Sequence, residues 1–337
     1  MKAVVCVPGG CEVADVPDPR PAPGQVVIEV DACGLCGSDV HAIAAGLARE
    51  GQVLGHEFGG RIAALGAGVT GWRTGQPVAV SPLGTCGTCR ICQRGLPFRC
   101  EAAPNVGVTA PGAYAEYVAV PHNQLVALPD GVPVELGAHA EPLAVALAAV
   151  GQAGTGPGDT VLVYGAGTIG LNVVMGLRLA GVSRIVVAGR SAGRRAAAAA
   201  VGADEVIDTR ELGVREYAAS RGYRFAAVLE CSAAPGAVAD ALAVLEPGGI
   251  CVEVALTSEK VPVPLDQLVG DGLRLAGSCA FSYPDYRAAV GHVTGGRVPV
   301  TALISERVSL AQTPAALARL RHPGSLVRVL ARPGQRQ

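Results

Sequence analysis

The sequence is almost without lysine: of its 27 basic residues only Lys2 and Lys260 are not arginine. It is also poor in charged residues, at 16%, and in aromatics, at 4%, and its formal net charge is -1. There is therefore no basic field to hold nucleic acid and no run of like charge to form a solvated tail. Long apolar runs are missing as well. Half the residues are hydrophobic, but glycine and proline break them up before any run nears the roughly 18 residues that a membrane span takes. No apolar signal-peptide core follows Met1, and MKAVVCVPGG reads as a first strand. The expectation is a cytoplasmic protein with no nucleic-acid or membrane partner, long enough for two domains with cores of their own.

Cysteine, by contrast, is plentiful, with eleven in the chain. In a small secreted domain that would mean disulfides; in a large, untargeted chain reduced thiols are expected. Four of them, Cys86, Cys89, Cys92 and Cys100, follow the spacing C-x2-C-x2-C-x7-C in a loop holding Gly87, Gly95 and Pro97. Four thiolates at short spacing, with no open position, describe a closed structural zinc site that would order a lobe with little apolar sequence. Two disulfides are the competing reading, which the absence of a targeting segment disfavours. Cys6, Cys11, Cys33, Cys231, Cys251 and Cys279 lie in or near apolar runs, where the default is a small buried hydrophobe.

A second cluster is chemically different. Between Cys33 and Gly60 the chain presents Cys36, Ser38, Asp39 and His41, then His56 and Glu57. Thiolate and imidazole suit zinc, and a carboxylate can complete a tetrahedron. A hydroxyl and a histidine a few residues from a ligand are the parts needed to pass a proton to water. This set is expected to hold a zinc ion that does chemistry.

Organisation changes along the chain. Up to about residue 135, short β-like runs such as KAVVCV and QVVIEVDA alternate with Pro/Gly turns, as in a mainly-β unit. Residues 138–151 read as an Ala/Leu-rich helix. After Gly158, apolar strands (TVLVY, RIVVAGR, EVID, FAAVLEC, GICVEVAL, LRLAGSC) alternate with helical stretches, which implies a parallel doubly wound sheet, an α/β Rossmann arrangement. The first of these strands runs into Gly165-Ala-Gly167-Thr168-Ile169-Gly170, a GxGxxG turn opening a helix. Gly165 would make the tight turn, Gly167 admit a pyrophosphate and Gly170 let helix and strand pack closely, with the helix N-terminus facing the anion.

The carboxylate expected about 20 residues on, for a ribose 2′-hydroxyl, is missing. That place holds Gly189, followed by Arg190, Ser191, Arg194 and Arg195. Arginine can hold a 2′-phosphate in bidentate fashion, so NADP(H) is expected in preference to NAD(H). Arg194 and Arg195 have a plainer reading as the solvated face of a helix.

Cys36-Gly-Ser38-Asp39-x-His41, Gly55-His56-Glu57, the four-cysteine lobe, Glu141-Pro142-Leu143 and GAGTIG together resemble the zinc-dependent medium-chain alcohol dehydrogenases, in order and over essentially the whole chain. The EPL segment is similar to the polyol, sorbitol and threonine dehydrogenase branch. The resemblance implies a Rossmann domain inserted into a mainly-β GroES-like catalytic domain: residues 1–150 with both zinc sites, 151–284 binding the nucleotide, and 285–337 returning to the catalytic domain, with the active site in the cleft. It implies two zinc ions per chain, one catalytic and one structural. Cys36 and His56 would bind the catalytic ion; Glu57 and Glu141 compete for a further position, which is left open. Asp39 would orient His56, Ser38 and His41 would relay the proton, and Arg328 would hold the pyrophosphate. Gly37 stands where some relatives carry a basic residue. A homodimer or homotetramer is also implied. The expected reaction interconverts a secondary alcohol (a polyol, amino alcohol or cyclitol/sugar-like compound) and its ketone, a small-molecule substrate, with hydride passing to NADP. An NADPH-dependent reductase of conjugated C=C bonds and a non-catalytic NADP-binding protein are the alternatives.

Overall fold

The computed structural model describes residues 1–94, 96, 99–257 and 260–334. Gly95 and Pro97 of the cysteine lobe thus lie outside the described residues. The chain divides into two compact units, one of Met1–Glu141 with Ser282–Gln337 and the other of Pro142–Phe281.

In the first unit, β1 (Lys2–Val7) and β2 (Gly10–Asp15) form an antiparallel ribbon around a two-residue turn. There follow β3 (Gln25–Gly34), α1 (Gly37–Ala44), β4 (Glu57–Leu65), β5 (Pro77–Val80), α2 (Arg90–Gln93), β6 (Tyr117–Pro121) and β7 (Leu125–Ala127). The second unit begins within α3 (Ala140–Ala153). It contains β8 (Thr160–Tyr164), α4 (Thr168–Leu179), β9 (Arg184–Gly189), α5 (Ala192–Ala200), β10 (Glu205–Asp208), α6 (Val214–Arg221), β11 (Phe225–Glu230), α7 (Ala237–Val244), β12 (Leu245–Glu253), α8 (Leu265–Gly270) and β13 (Arg274–Gly277). The chain then returns to the first unit through α9 (Tyr283–Thr294), β14 (Ile304–Ser309), α10 (Thr313–Arg319) and β15 (Arg328–Arg332).

The first unit is built on a sheet in the order β14-β15-β3-β4-β5-β7, with β6 also paired to β3. Its core is mostly aliphatic: Val26, Ile28, Val30, Ile62, Val78 and Val80 are buried along the central strands, with Phe58 among them. The C-terminal strand is integral, because β15 pairs with β3 at Leu330↔Gly34 and Ala331↔Cys33. The second unit has six parallel strands in the order β10-β9-β8-β11-β12-β13. That is the doubly wound order, whose direction reverses between β8 and β11, at the carboxyl ends where ligands of such sheets bind. Strands such as β8 are apolar on both faces because helices cover both sides.

Two local readings change. The helix expected over 138–151 is entered through a 3-10 turn at Val134–His139, and Pro142 sits in the first turn of α3, where its missing N–H costs nothing. This run, Val134–Ala153, is long and apolar enough by length and composition to cross a membrane, yet most of it is buried in the protein, as in a core helix. The strand read as GICVEVAL instead begins at Leu245, so that β12 includes LEPGG, with an irregular register opposite Phe225–Ala227.

At the carboxyl ends of β11 and β12, Glu230 and Glu253 are register neighbours. Burial, and then the hydrogen bond with Glu230, raise the Glu253 carboxyl to about 8. The folded protein therefore keeps a proton there that the unfolded chain has lost above about 4.5. Stability from this group is present below that value and decays as pH rises toward 8. Glu253→Gln is expected to remove a decline of about 1 kcal/mol between pH 5 and 8, read from denaturation midpoints across that range; an unchanged slope would contradict it.

Candidate metal and nucleotide sites

The two zinc motifs meet in space as two separate clusters. The Sγ atoms of Cys86, Cys89, Cys92 and Cys100 lie within 4.8 Å of one another. Cys86–Cys92 and Cys89–Cys100 are both 4.0 Å apart, close to the tetrahedron edge of about 3.8 Å that zinc–thiolate bonds imply. Two loop amides point at the sulfurs. The Cys89 amide donates to Cys86 Sγ at 3.3 Å and the Cys92 amide to Cys89 Sγ at 3.4 Å. The Cys89 amide and the Thr88 hydroxyl pull the Cys86 thiol down to about 6. The donor set fits a closed zinc site.

The second cluster joins Cys36, at the N-terminus of α1, to His56 and Glu57, at the start of β4. One ligand atom from each lies within 4.8 Å of the others. Glu141 is not part of that mutual group, although it is buried nearby. Burial, and then repulsion by Glu57, push its carboxyl up to about 8. Ser38 Oγ donates to Cys36 Sγ at 3.2 Å. Ser38 and His41 are exposed on α1, whereas Asp39, on the same helix, is buried. Asp39 Oδ1 lies 3.3 Å from His56 Nδ1, leaving Nε2 for a metal. Burial works against a charged His56, but Asp39 outweighs it and holds the imidazole well above its usual range.

Tyr114 is the residue the sequence did not disclose. Buried just before β6, its hydroxyl donates to Asp39 Oδ2 at 2.6 Å and lies 3.1 Å from the Gly34 carbonyl and 3.4 Å from the Cys36 amide. A buried tyrosine needs a partner for its hydroxyl, but only the fold says which.

Arg328, expected at a pyrophosphate, is 1% exposed. Its guanidinium is 2.5 Å from Glu57 Oε2 and donates to the Ala138 carbonyl at 2.6 Å. Burial alone would raise the Glu57 carboxyl; Arg328 more than offsets it and keeps Glu57 ionised. The pair lies against bare backbone, since a Cβ on Gly34 would fall 2.3 Å from both side chains. His139 is buried and neutral, its pKa driven well below the usual histidine range by burial, with Nε2 unpartnered.

In the second unit Gly165 has φ +111, and a Cβ there would strike Ser232 and Cys231. Gly170 is within 1.8 Å of the Gly165 carbonyl at its Cβ position, whereas Gly167 faces open space. Gly167 caps α4 without a side chain, so the first-turn amides are left for an anion. Thr168 and Ile169 form that first turn. β9 ends at Gly189, whose Cβ position is 3.1 Å from Ala166. Ser191 caps α5 with its hydroxyl uncommitted, and Arg194 is partly buried. Arg195 donates to the Gly189 and Arg190 carbonyls and to Asp208 at 2.6 Å. Arg190 is exposed and has no ion pair among the described residues.

Two family models match the chain: the alcohol dehydrogenase GroES-like domain over residues 22–130 and the zinc-binding dehydrogenase over 168–295. Scyllo-inosose 3-dehydrogenase of Thermotoga maritima is 33% identical over 94% of this chain and 88% of its own. The chain belongs to the zinc-type medium-chain alcohol dehydrogenases. Solved members share its fold throughout. A zinc-binding dehydrogenase of Sinorhizobium meliloti 1021 bound to NADP has a TM-score of 0.92 at 31% identity, covering 98% of this chain and 99% of that one. The alcohol dehydrogenase rspB of E. coli CFT073, complexed with NADH, has 0.93 at 28%, covering 99% of each. As in the rest of this oxidoreductase family, a GroES-like unit carries the zinc-ligand motifs and a Rossmann unit the NAD(P)-binding turn.

Because Tyr114 holds Asp39, and Asp39 holds His56, Tyr114→Phe is expected to weaken metal retention about tenfold or more. Zinc loss to a chelator, timed in the variant and the parent, measures it; equal rates would exclude Tyr114 from that role.

Proposed function

We propose that this alcohol dehydrogenase interconverts a secondary alcohol of the polyol, amino alcohol or cyclitol class and its ketone, using NADP(H). The observation that carries this reading is the Cys36–His56–Glu57 group with Ser38 and His41 on the same short helix. Zinc, when bound, supplies Lewis-acid stabilisation of negative charge on the substrate oxygen, and the nicotinamide takes or gives the hydride. Cys36 and His56 would hold the metal, with Glu57 beside them and Glu141 the other carboxylate within reach of their field. Ser38 Oγ, at hydrogen-bond distance from Cys36 Sγ, would take the hydroxyl proton of the substrate. His41, exposed on the next turn, would hand it to water. Retention of both groups supports carbonyl chemistry over C=C reduction. The Glu141-Pro142-Leu143 segment, and a cyclitol-derived substrate in the name of one relative, support the substrate class.

The NADP preference is supported by the corner after β9. The carboxylate missing there is present one strand over, as Asp208 on β10, in register with Gly189. It is occupied by Arg195 and by Arg210, each at 2.6 Å, and Arg210 above all holds its carboxyl far below the usual range. Asp208 is thereby neutralised toward a phosphate, while Arg190 is left free. Assembly as a homodimer or homotetramer is supported by the exposed edge strand β13 with Leu275, and by exposed Leu265 and Val269 on α8.

Cys36→Ala is expected to retain one zinc per chain instead of two and to lose turnover by roughly a thousandfold. Elemental analysis beside a steady-state assay tests this, and a variant with both zincs and full activity would refute the metal assignment. Arg190→Ala is expected to weaken NADPH binding about tenfold with NADH binding unchanged, read by fluorescence titration. An equal effect on the two cofactors would remove Arg190 from phosphate recognition.

A further inference from the structure

The sequence treats Cys6 and Cys11 as two unrelated small hydrophobes; the hairpin sets them face to face. They are direct partners in the β1–β2 ladder. The kind of pair they form follows from where the backbone groups go. Met1 and Val16 exchange both their hydrogen bonds, at 3.0 and 2.9 Å. Hydrogen-bonded pairs alternate with non-hydrogen-bonded pairs from there. Cys6 points its N–H to the Gln52 carbonyl and receives the Gly51 N–H on its carbonyl, so its backbone faces away from β2. Cys6 and Cys11 are therefore a non-hydrogen-bonded pair, in which the backbones approach most closely, with Cα atoms about 4.5 Å apart. That is inside the range a disulfide spans. Lys2 and Asp15, another pair of the same set and on the same face, meet at 2.6 Å.

The outer sulfur is reachable. Cys11 is half-buried and lines a cavity of about 170 Å³ with Val40 and Ile43 of α1 and Leu317 and Arg321 at α10. Both thiols are free. Burial holds both above the usual thiol range, Cys6 at about 11; Arg321 eases ionisation at Cys11.

We propose that Cys6 and Cys11 are a peroxide-oxidisable dithiol that closes to a cross-strand disulfide beside the helix carrying Ser38, Asp39 and His41. The Cys11 thiolate attacks one oxygen of a hydroperoxide, the O–O bond breaks, and hydroxide leaves to be protonated as water (or the corresponding alcohol). Cys6 then attacks the sulfenic sulfur of Cys11; the S–S bond forms, the S–O bond breaks, and a second water leaves with the Cys6 proton. Two thiols are oxidised by two electrons and one peroxide is reduced.

Cleavage after Glu12 isolates residues 1–12, which hold these two cysteines and no others. Zinc-loaded protein is exposed to hydrogen peroxide, alkylated with N-ethylmaleimide and mapped by mass spectrometry. The expected fragment is lighter by two hydrogen atoms, bears no alkyl label, and takes two labels after reduction by a phosphine, with both zincs retained. In Cys6→Ser, Cys11 is expected to stop at a sulfenic acid that dimedone captures. A fragment that keeps both labels while the zinc-ligand cysteines are oxidised and metal is released would overturn the proposal.

Discussion

The buried ion pair of Arg328 and Glu57 is the contact on which the metal site stands. It joins the last strand of the first unit to β4, across 271 residues of chain, and the whole second unit lies within that interval. Such a pair adds little net stability, because desolvating both charges costs about what their attraction returns; removing one partner, however, strands the other at about 3–5 kcal/mol. Its effect is on placement. Glu57 stays ionised and fixed beside Cys36 and His56 only while β15 is paired with β3. The bare backbone of Gly34 is what lets the two side chains meet there.

Around that pair the site is short of positive charge. Cys36, Asp39, Glu57 and Glu141 converge on one histidine and one arginine. The strain is visible in the groups that give way: burial and Glu57 raise both the Glu141 carboxyl and the Cys36 thiol. Cys36 and Glu57 keep their donor atoms aimed at each other and at His56 despite that repulsion. Asp39 is tied down from the other side by Tyr114. A rigid cage of acidic donors is a poor arrangement for folding and a good one for a divalent cation, whose charge removes the repulsion on entry. The four-cysteine lobe solves the same problem differently, with backbone amides aimed at its sulfurs.

What could be read from the sequence was what lies close along the chain. The spacing of Cys86 to Cys100, the run from Cys36 to His41 and the GxGxxG turn are all local, and the alternation of strand and helix reports the Rossmann sheet. The partners that hold these groups are distant. Tyr114 is 75 residues from Asp39, and nothing in GAYAEY indicates that its hydroxyl reaches a distant aspartate. The resemblance places Arg328 at a pyrophosphate, and its pairing with Glu57 cannot be read until the strand pairing is known. Cys6 and Cys11 are near neighbours, but their apposition depends on a two-residue turn and on which way the Cys6 backbone faces. The sequence separates Arg190 from Arg195 only in that the latter reads as a solvated helix face; it does not show that Arg195 turns back to Asp208 and to the Gly189 and Arg190 carbonyls.

That last difference bears on how a corner of the fold selects a nucleotide. Arg195 donates to the carbonyls of Gly189 and Arg190 at 2.9 and 2.8 Å, so it braces the turn from beneath. With those carbonyls and Asp208 all engaged, the acceptors nearest the turn are used up, and no carboxylate remains to take a ribose hydroxyl. Arg190 stays at the surface because its own backbone is pinned, not because its side chain is. The discrimination proposed for this corner thus comes from two arginines with opposite duties. In that proposal one cancels an acid and shapes the turn, and the other is left to meet a phosphate. Removing Arg195 would unbrace the turn and leave Asp208 to Arg210 alone, which still neutralises it.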